Sequence, residues 1–244
     1  MTPSLISLVE TTHARLADIT QKYAAPTFGT SFGLEDLVLL HMIATRHRAV
    51  DVFSLDTLLL PTATLELWKQ LEQRLGLSVR GLVPDASAVQ TLESEQGRYG
   101  MYDSVENRHR CCDIRKVQPL ALALVGKDAW LTGVRRSQSA QRADTPLEEF
   151  DALRGVTKFN PLADWTDEDV QAYIDAQGLP MNALHAKGYP SIGCDPCTRA
   201  IKPGEHPRAG RWWWEQSDTK ECGLHWVAPV DAMGSAKIIP IRST

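Results

Sequence analysis

An alternation in the N-terminal part of the chain constrains its fold most. Short apolar runs end in turns containing Gly, Ser or Asp, and each is followed by a stretch with helical spacing. "APTFGTSFG" reads as a strand running into a glycine loop, and "LEDLVLLHMIATRH" has the apolar spacing of a helix. "AVDVFSLDT" repeats the strand and "TATLELWKQLEQRLG" the helix, with Gly76 placed to cap its C-terminus. "LSVRGLVPD" reads as a third strand, followed by a helix around "ASAVQTLESEQ". Strands alternating with helices make βαβ units, so the expected class is α/β with a mainly parallel sheet.

Farther along, "IRKVQPLALALVG" reads as helix and "AWLTGVRR" as strand. "WTDEDVQAYIDAQG" is a marked helix with Thr166 as N-cap and Asp169 three residues on. From Tyr189 onward Gly, Pro, Cys, Arg and Trp replace any periodicity. That region reads as irregular and tied down by something other than a hydrophobic face. The expected division is an α/β domain over 1–205 and a C-terminal tail over 206–244.

With 244 residues the chain can bury a substantial core. A formal net charge of −4 argues against general nucleic-acid binding, since no basic excess exists to neutralise a phosphate backbone. The N-terminal "MTPSLISLVETTHARLADITQKYAA" carries an early acid and no long apolar centre, so it reads as an amphipathic helix and not a signal peptide. No window approaches the roughly 18 apolar residues of a membrane span. The expected location is the cytoplasm, where paired cysteines more often bind metal or do redox chemistry than form structural disulfides.

Of five cysteines, four come as pairs, in "RCCDIRK" and "GCDPCTR", and the last stands alone in "ECGLH". Cys111, Cys112, Cys194 and Cys197 can surround one metal centre, because the turn of a C-x-x-C segment points two sulfurs the same way. Adjacent ligands diverge and are hard to hold on one ion, which favours an iron–sulfur cluster over a single zinc. A structural zinc site, a thioredoxin-like redox pair and buried non-ligand thiols are the competing readings. Cys222 follows the basic segment "HPRAGR" and precedes His225, a setting that lowers a thiol pKa, whereas Glu221 opposes it. An incidental surface thiol is the alternative.

Taken together, "TSFGLED", "SLDT", "RCCDIRKVQPL", "LTGVRRSQSAQR", "GCDPCTRAI", "GRWWWE" and "ECGLH" resemble the assimilatory sulfonucleotide reductases, specifically the cluster-containing adenylyl-sulfate reductases. The resemblance runs from about Thr27 to about His225. It implies a Rossmann-like adenine-nucleotide fold with a modified pyrophosphatase-type phosphate loop. It also implies a 4Fe–4S cluster on the four paired cysteines. In such enzymes the tail cysteine attacks the sulfur of the bound sulfonucleotide, AMP leaves, and thioredoxin releases sulfite from the S-sulfocysteine. No thioredoxin-like domain follows in this sequence, so an external thioredoxin or glutaredoxin is the expected partner.

An anionic sulfonucleotide needs fixed positive charge. Lys116 lies one helical turn beyond Cys112 if that segment is helical, and a solvated lysine is the alternative. Arg142 follows the strand "AWLTGV", near where ligands gather on parallel sheets. Arg208 and Arg211 precede Cys222 and offer bidentate contacts to an oxyanion. Arg135 and Arg136 are weaker candidates. His225 can donate to the substrate or sit exposed without a role. In "TSFGLED", Ser31 offers a hydroxyl and Gly33 a close backbone approach to phosphate; a plain strand–helix turn is the alternative. Asp56 and Thr57 of "SLDT" are expected near the adenosine.

One departure stands out. Where the family usually has G-R-L-P or G-Y-L-P, this chain has "LLLP", which predicts an altered loop at Leu58 and Leu59, since Leu resists positive φ. Other functions consistent with parts of the pattern are a phosphoadenylyl-sulfate reductase, a tRNA-thiolating ATP pyrophosphatase and an iron–sulfur redox sensor. "SFGLED" differs from the S-G-G-x-D-S loop of the pyrophosphatases, and a sensor needs no tail nucleophile. The "WWW" run can pack on a second copy as readily as on its own core, so a homo-oligomer stays open.

Overall fold

The structure is a computed structural model and describes residues 1–138 and 142–215. Helix α1 (Pro3–Lys22) starts where Thr2 accepts from the Leu5 N–H, and buries Leu5, Val9, Thr12, Leu16 and Ile19 along one face. Strand β1 (Pro26–Thr30) leads into α2 (Leu34–Arg46), β2 (Asp51–Leu55) into α3 (Thr62–Leu75), and β3 (Arg80–Leu82) into α4 (Ala86–Gln96). These are the expected alternating units. Gly76 closes α3 in the left-handed conformation, φ 57°.

The expected helix over "IRKVQPLALALVG" begins earlier and is not uniform. α5 spans Val105–Cys112, a π-helical turn spans Asp113–Val117, and α6 spans Gln118–Ala123. Pro119 supplies the reason: without an N–H it cannot bond the Arg115 carbonyl. The Gln118 N–H reaches back five residues to the Asp113 carbonyl, widening the turn.

Strand β4 spans Ala129–Leu131; beyond it the Thr132 N–H still donates to the Phe159 carbonyl at 2.9 Å, while Thr132 and Gly133 line the edge of a cleft. β5 (Glu148–Asp151) and β6 (Val156–Phe159) form an antiparallel hairpin that no apolar pattern in the sequence predicts. β5 is a charged edge strand with Phe150 66% exposed, so it lacks the apolar alternation that reveals a strand. α7 (Asp167–Gln177) carries the full capping box between Thr166 and Asp169.

The six strands lie in the order β3-β2-β1-β4-β6-β5, all parallel except β5. Successive residues face opposite sides of the sheet, which divides the apolar core in two. Val52, Ala129 and Leu131 join the main core under α1, α2 and α7, while Phe53 and Trp130 join Leu120, Ala123 and Leu124 of the α6 side. A third cluster lies apart from both and holds Leu92, Met101, Cys111, Cys194, Cys197 and Trp212. Residues 189–215 are irregular as expected, with one bridge between Thr198 and Arg211. Packing runs through the expected boundary at 205/206, since Trp212 belongs to the same cluster as Cys194 and Cys197.

Candidate functional site

Chain order reverses across the sheet between β1 and β4, and a cleft opens at the C-terminal ends of these strands, where parallel sheets bind ligands. Its volume is about 1330 Å³. Ser31, Gly33, Thr57, Lys116, Arg142, Arg208 and Arg211 all line it, together with Cys194. Asp56 does not. Its carboxylate accepts from the Leu58 N–H at 3.0 Å, which shapes the loop after β2 and not the cleft. Cys222 and His225 lie outside the described residues.

The loop after β1 is organised by a residue that sequence reasoning passed over. Asp36, in the first turn of α2, is buried, and its Oδ2 accepts from the Ser31 N–H at 2.6 Å and the Ser31 hydroxyl at 2.9 Å. The expected phosphate-facing hydroxyl is thus turned onto a carboxylate. Burial and the neighbouring Glu35 push the Asp36 carboxyl up to about 7, against the pull of the Ser31 and Gly33 donors. Gly133 makes room for it, because a Cβ there would stand 2.5 Å from Asp36 Oδ1. The signal was present as an acid three residues into a helix behind a Ser-containing turn.

The cations differ in how they are held. Arg135 is buried and pairs with Asp167 at 2.5 Å, and Arg136 pairs with Asp164, so both are committed to carboxylates. Arg142 donates to Gln138, which in turn contacts Glu35. Lys116 rides on the π turn and is near enough to Cys197 to oppose the rise in its pKa. It therefore sits between the cleft and the cysteines. Arg211 is buried, its guanidinium 4.7 Å from the centroid of the Trp212 ring.

Two further arginines do structural work that the sequence did not announce. Arg115 donates to the Thr57 carbonyl at 3.0 Å and to Glu93 at 2.7 Å, tying the cysteine helix to the loop after β2. Arg108 makes a two-pronged pair with Glu215, at 2.5 and 3.0 Å, with both side chains buried. Leu58 takes φ 59°, so the loop accepts the left-handed conformation with a side chain in place of the expected glycine.

All four paired cysteines are buried and none forms a disulfide. The two pairs, far apart in sequence, meet in the third cluster, where Thr57 Oγ1 lies 3.2 Å from Cys194 Sγ. Burial, reinforced by neighbouring thiols, pushes Cys111 up to about 11 and Cys197 up to about 12. Such thiols give up their protons only to compensating positive charge. Among the described residues no three His, Cys, Asp or Glu side chains converge as one ion requires. The buried Trp212 Nε1 and Arg115 Nε also lack acceptors among the described residues. Four buried thiols are a donor set that either a zinc ion or an iron–sulfur group takes.

The family model described as the phosphoadenosine phosphosulfate reductase domain matches residues 25–200. The chain belongs to this family. An adenosine 5'-phosphosulfate reductase of Burkholderia cepacia is 48% identical over 238 residues, covering 97% of this chain and 95% of that protein. One from Agrobacterium fabrum is 47% identical over 215 residues, covering 88% and 82%. Among solved structures, a phosphoadenylyl-sulfate reductase from Candida auris, described as a phosphate complex, aligns with TM-score 0.66 and 26% identity. That alignment covers 80% of this chain and 96% of the other. The matched span of this family member includes all four paired cysteines and most of the cleft, whereas Arg208 and Arg211 lie beyond it.

Proposed function

We propose that this chain reduces adenylyl sulfate to sulfite and AMP, with Cys222 as nucleophile and an external thioredoxin or glutaredoxin as reductant, in cytoplasmic sulfate assimilation. The observation that carries the reading is one cleft in which Lys116, Arg142, Arg208 and Arg211 gather beside a buried set of thiols. Relatives named for that activity, at 48% identity over nearly the whole chain, support it.

The cleft's cations hold the sulfate and phosphate oxygens and orient the sulfur. The Cys222 thiolate attacks that sulfur. An S–S bond forms, the S–O bond to phosphorus breaks, and AMP leaves with the electron pair. A reductant thiolate then attacks Cys222 Sγ, and sulfite leaves with the S–S electrons. The second thiol of the reductant resolves the mixed disulfide and restores Cys222, so the dithiol supplies both electrons. Cys111, Cys112, Cys194 and Cys197 would hold a 4Fe–4S cluster, which when bound would fix the Lys116 segment beside the cleft and leave the positive charge there to Lys116 and the arginines.

Anaerobic mixing of the holoprotein with adenylyl sulfate tests this. The expected result is a brown protein that gains the mass of one sulfite group on Cys222. An unmodified Cys222 overturns the mechanism. The Candida auris neighbour keeps the 3′-phosphorylated substrate as a second reading. Comparing kcat/KM for the two nucleotides decides between them, with preference for the unphosphorylated form expected.

A further inference from the structure

The guanidinium of Arg211 lies against the backbone of Gly193, the residue before Cys194. A Cβ at Gly193 would stand 2.5 Å from Arg211 Cζ and 2.8 Å from its Nη1, closer than side chains approach. The backbone at Gly193 is not in the left-handed region, so its lack of a side chain is not needed for conformation. Space for the guanidinium is the need that remains.

The rest of the local bonding makes this a seat. The Gly193 N–H donates to the Thr198 hydroxyl at 3.1 Å, and that hydroxyl donates to the Cys194 carbonyl at 2.9 Å. The backbone of Thr198 pairs with that of Arg211 itself. Arg211 Nη1 donates to the Ile192 carbonyl at 3.3 Å, and the guanidinium stacks on Trp212. Its Nε has no acceptor among the described residues although it is buried. The loop of Cys194–Cys197 and the Arg211 guanidinium are thus fixed as one unit, with a buried donor left over.

We infer that Gly193 is a positioning residue for anion binding, holding Arg211 at the depth in the cleft where it meets the sulfonucleotide. This rests on the function proposed above. Because the clash falls on the far end of a flexible side chain, Gly193→Ala moves Arg211 and leaves the backbone in place.

The test is a double-mutant cycle on the holoenzyme with thioredoxin supplied. Gly193→Ala is expected to raise KM for adenylyl sulfate roughly 10- to 100-fold with a smaller change in kcat. In an Arg211→Ala background the same substitution adds little. A KM within about twofold of wild type, or an equal factor in both backgrounds, overturns the inference. If Gly193→Ala fails to fold, the double variant is expected to fold again because the clashing group is gone, and failure there also overturns it. If the wild type does not reduce adenylyl sulfate at all, the proposed function falls. The nitrogen–proton resonance of Arg211 Nε then decides the seat: a shift in Gly193→Ala sustains it, and an unchanged resonance overturns it.

Discussion

Leu58 shows how a single residue can carry strain beside a functional loop. A left-handed backbone brings Cβ against the following carbonyl and costs a non-glycine residue about 1–2 kcal/mol. Leu58 is 53% exposed, so packing does little to offset that cost. The conformation is enforced from outside: the Asp56 carboxylate accepts the Leu58 N–H, and the Leu59 carbonyl accepts the Asp195 N–H at 2.7 Å. Leu58→Gly is therefore expected to stabilise the protein by roughly 0.5–1 kcal/mol, after allowing for the extra freedom of glycine in the unfolded chain. Thermal unfolding checks it, and a lower midpoint would contradict the strain argument. The sequence located this position, because a leucine stood where glycine was expected. It did not disclose Asp36, whose role depends on turning a serine inward, nor did it show that Asp56 faces its own loop.

At the scale of elements, legibility followed periodicity. The helices α1, α3, α4 and α7 were readable because their apolar spacing and capping residues agree with one another. The π turn that carries Lys116 was not, since its cause is a missing N–H at Pro119. The join of α5 to the C-terminal segment was equally hidden, because Arg108 and Glu215 are 107 residues apart. That pair is buried, with the Trp212 ring centroid 4.7 Å from the Arg108 guanidinium. Removing one partner strands the other charge out of water, so Arg108→Met or Glu215→Gln is expected to cost about 3–5 kcal/mol. Replacing both by apolar residues of similar volume is expected to cost much less. Urea unfolding of the two single variants and the double variant checks this; a double variant as unstable as the sum of the singles would show two independent roles.

For the molecule as a whole, the sheet and the cysteine region are separate bodies of packing. The main core contains none of the four paired cysteines, and the third cluster contains no residue of any strand. The α/β class was legible because it rests on local alternation, whereas the meeting of the two cysteine pairs depends on a loop closed over most of the sheet's second half. Closing so long a loop around a small cluster gains little from apolar burial alone. Residues 189–215 offer few regular backbone bonds to compensate. The cluster proposed on the four thiols would therefore supply much of their order. Replacing Cys194 and Cys197 by Ser is expected to raise amide hydrogen exchange in 100–117 and 189–215 by several orders of magnitude, while β1, β2 and β4 keep their protection. Exchange mass spectrometry on the full chain makes the comparison. If the central strands lose protection to the same degree, the two bodies unfold as one, and the cysteines hold the whole fold and not only the wall of its cleft.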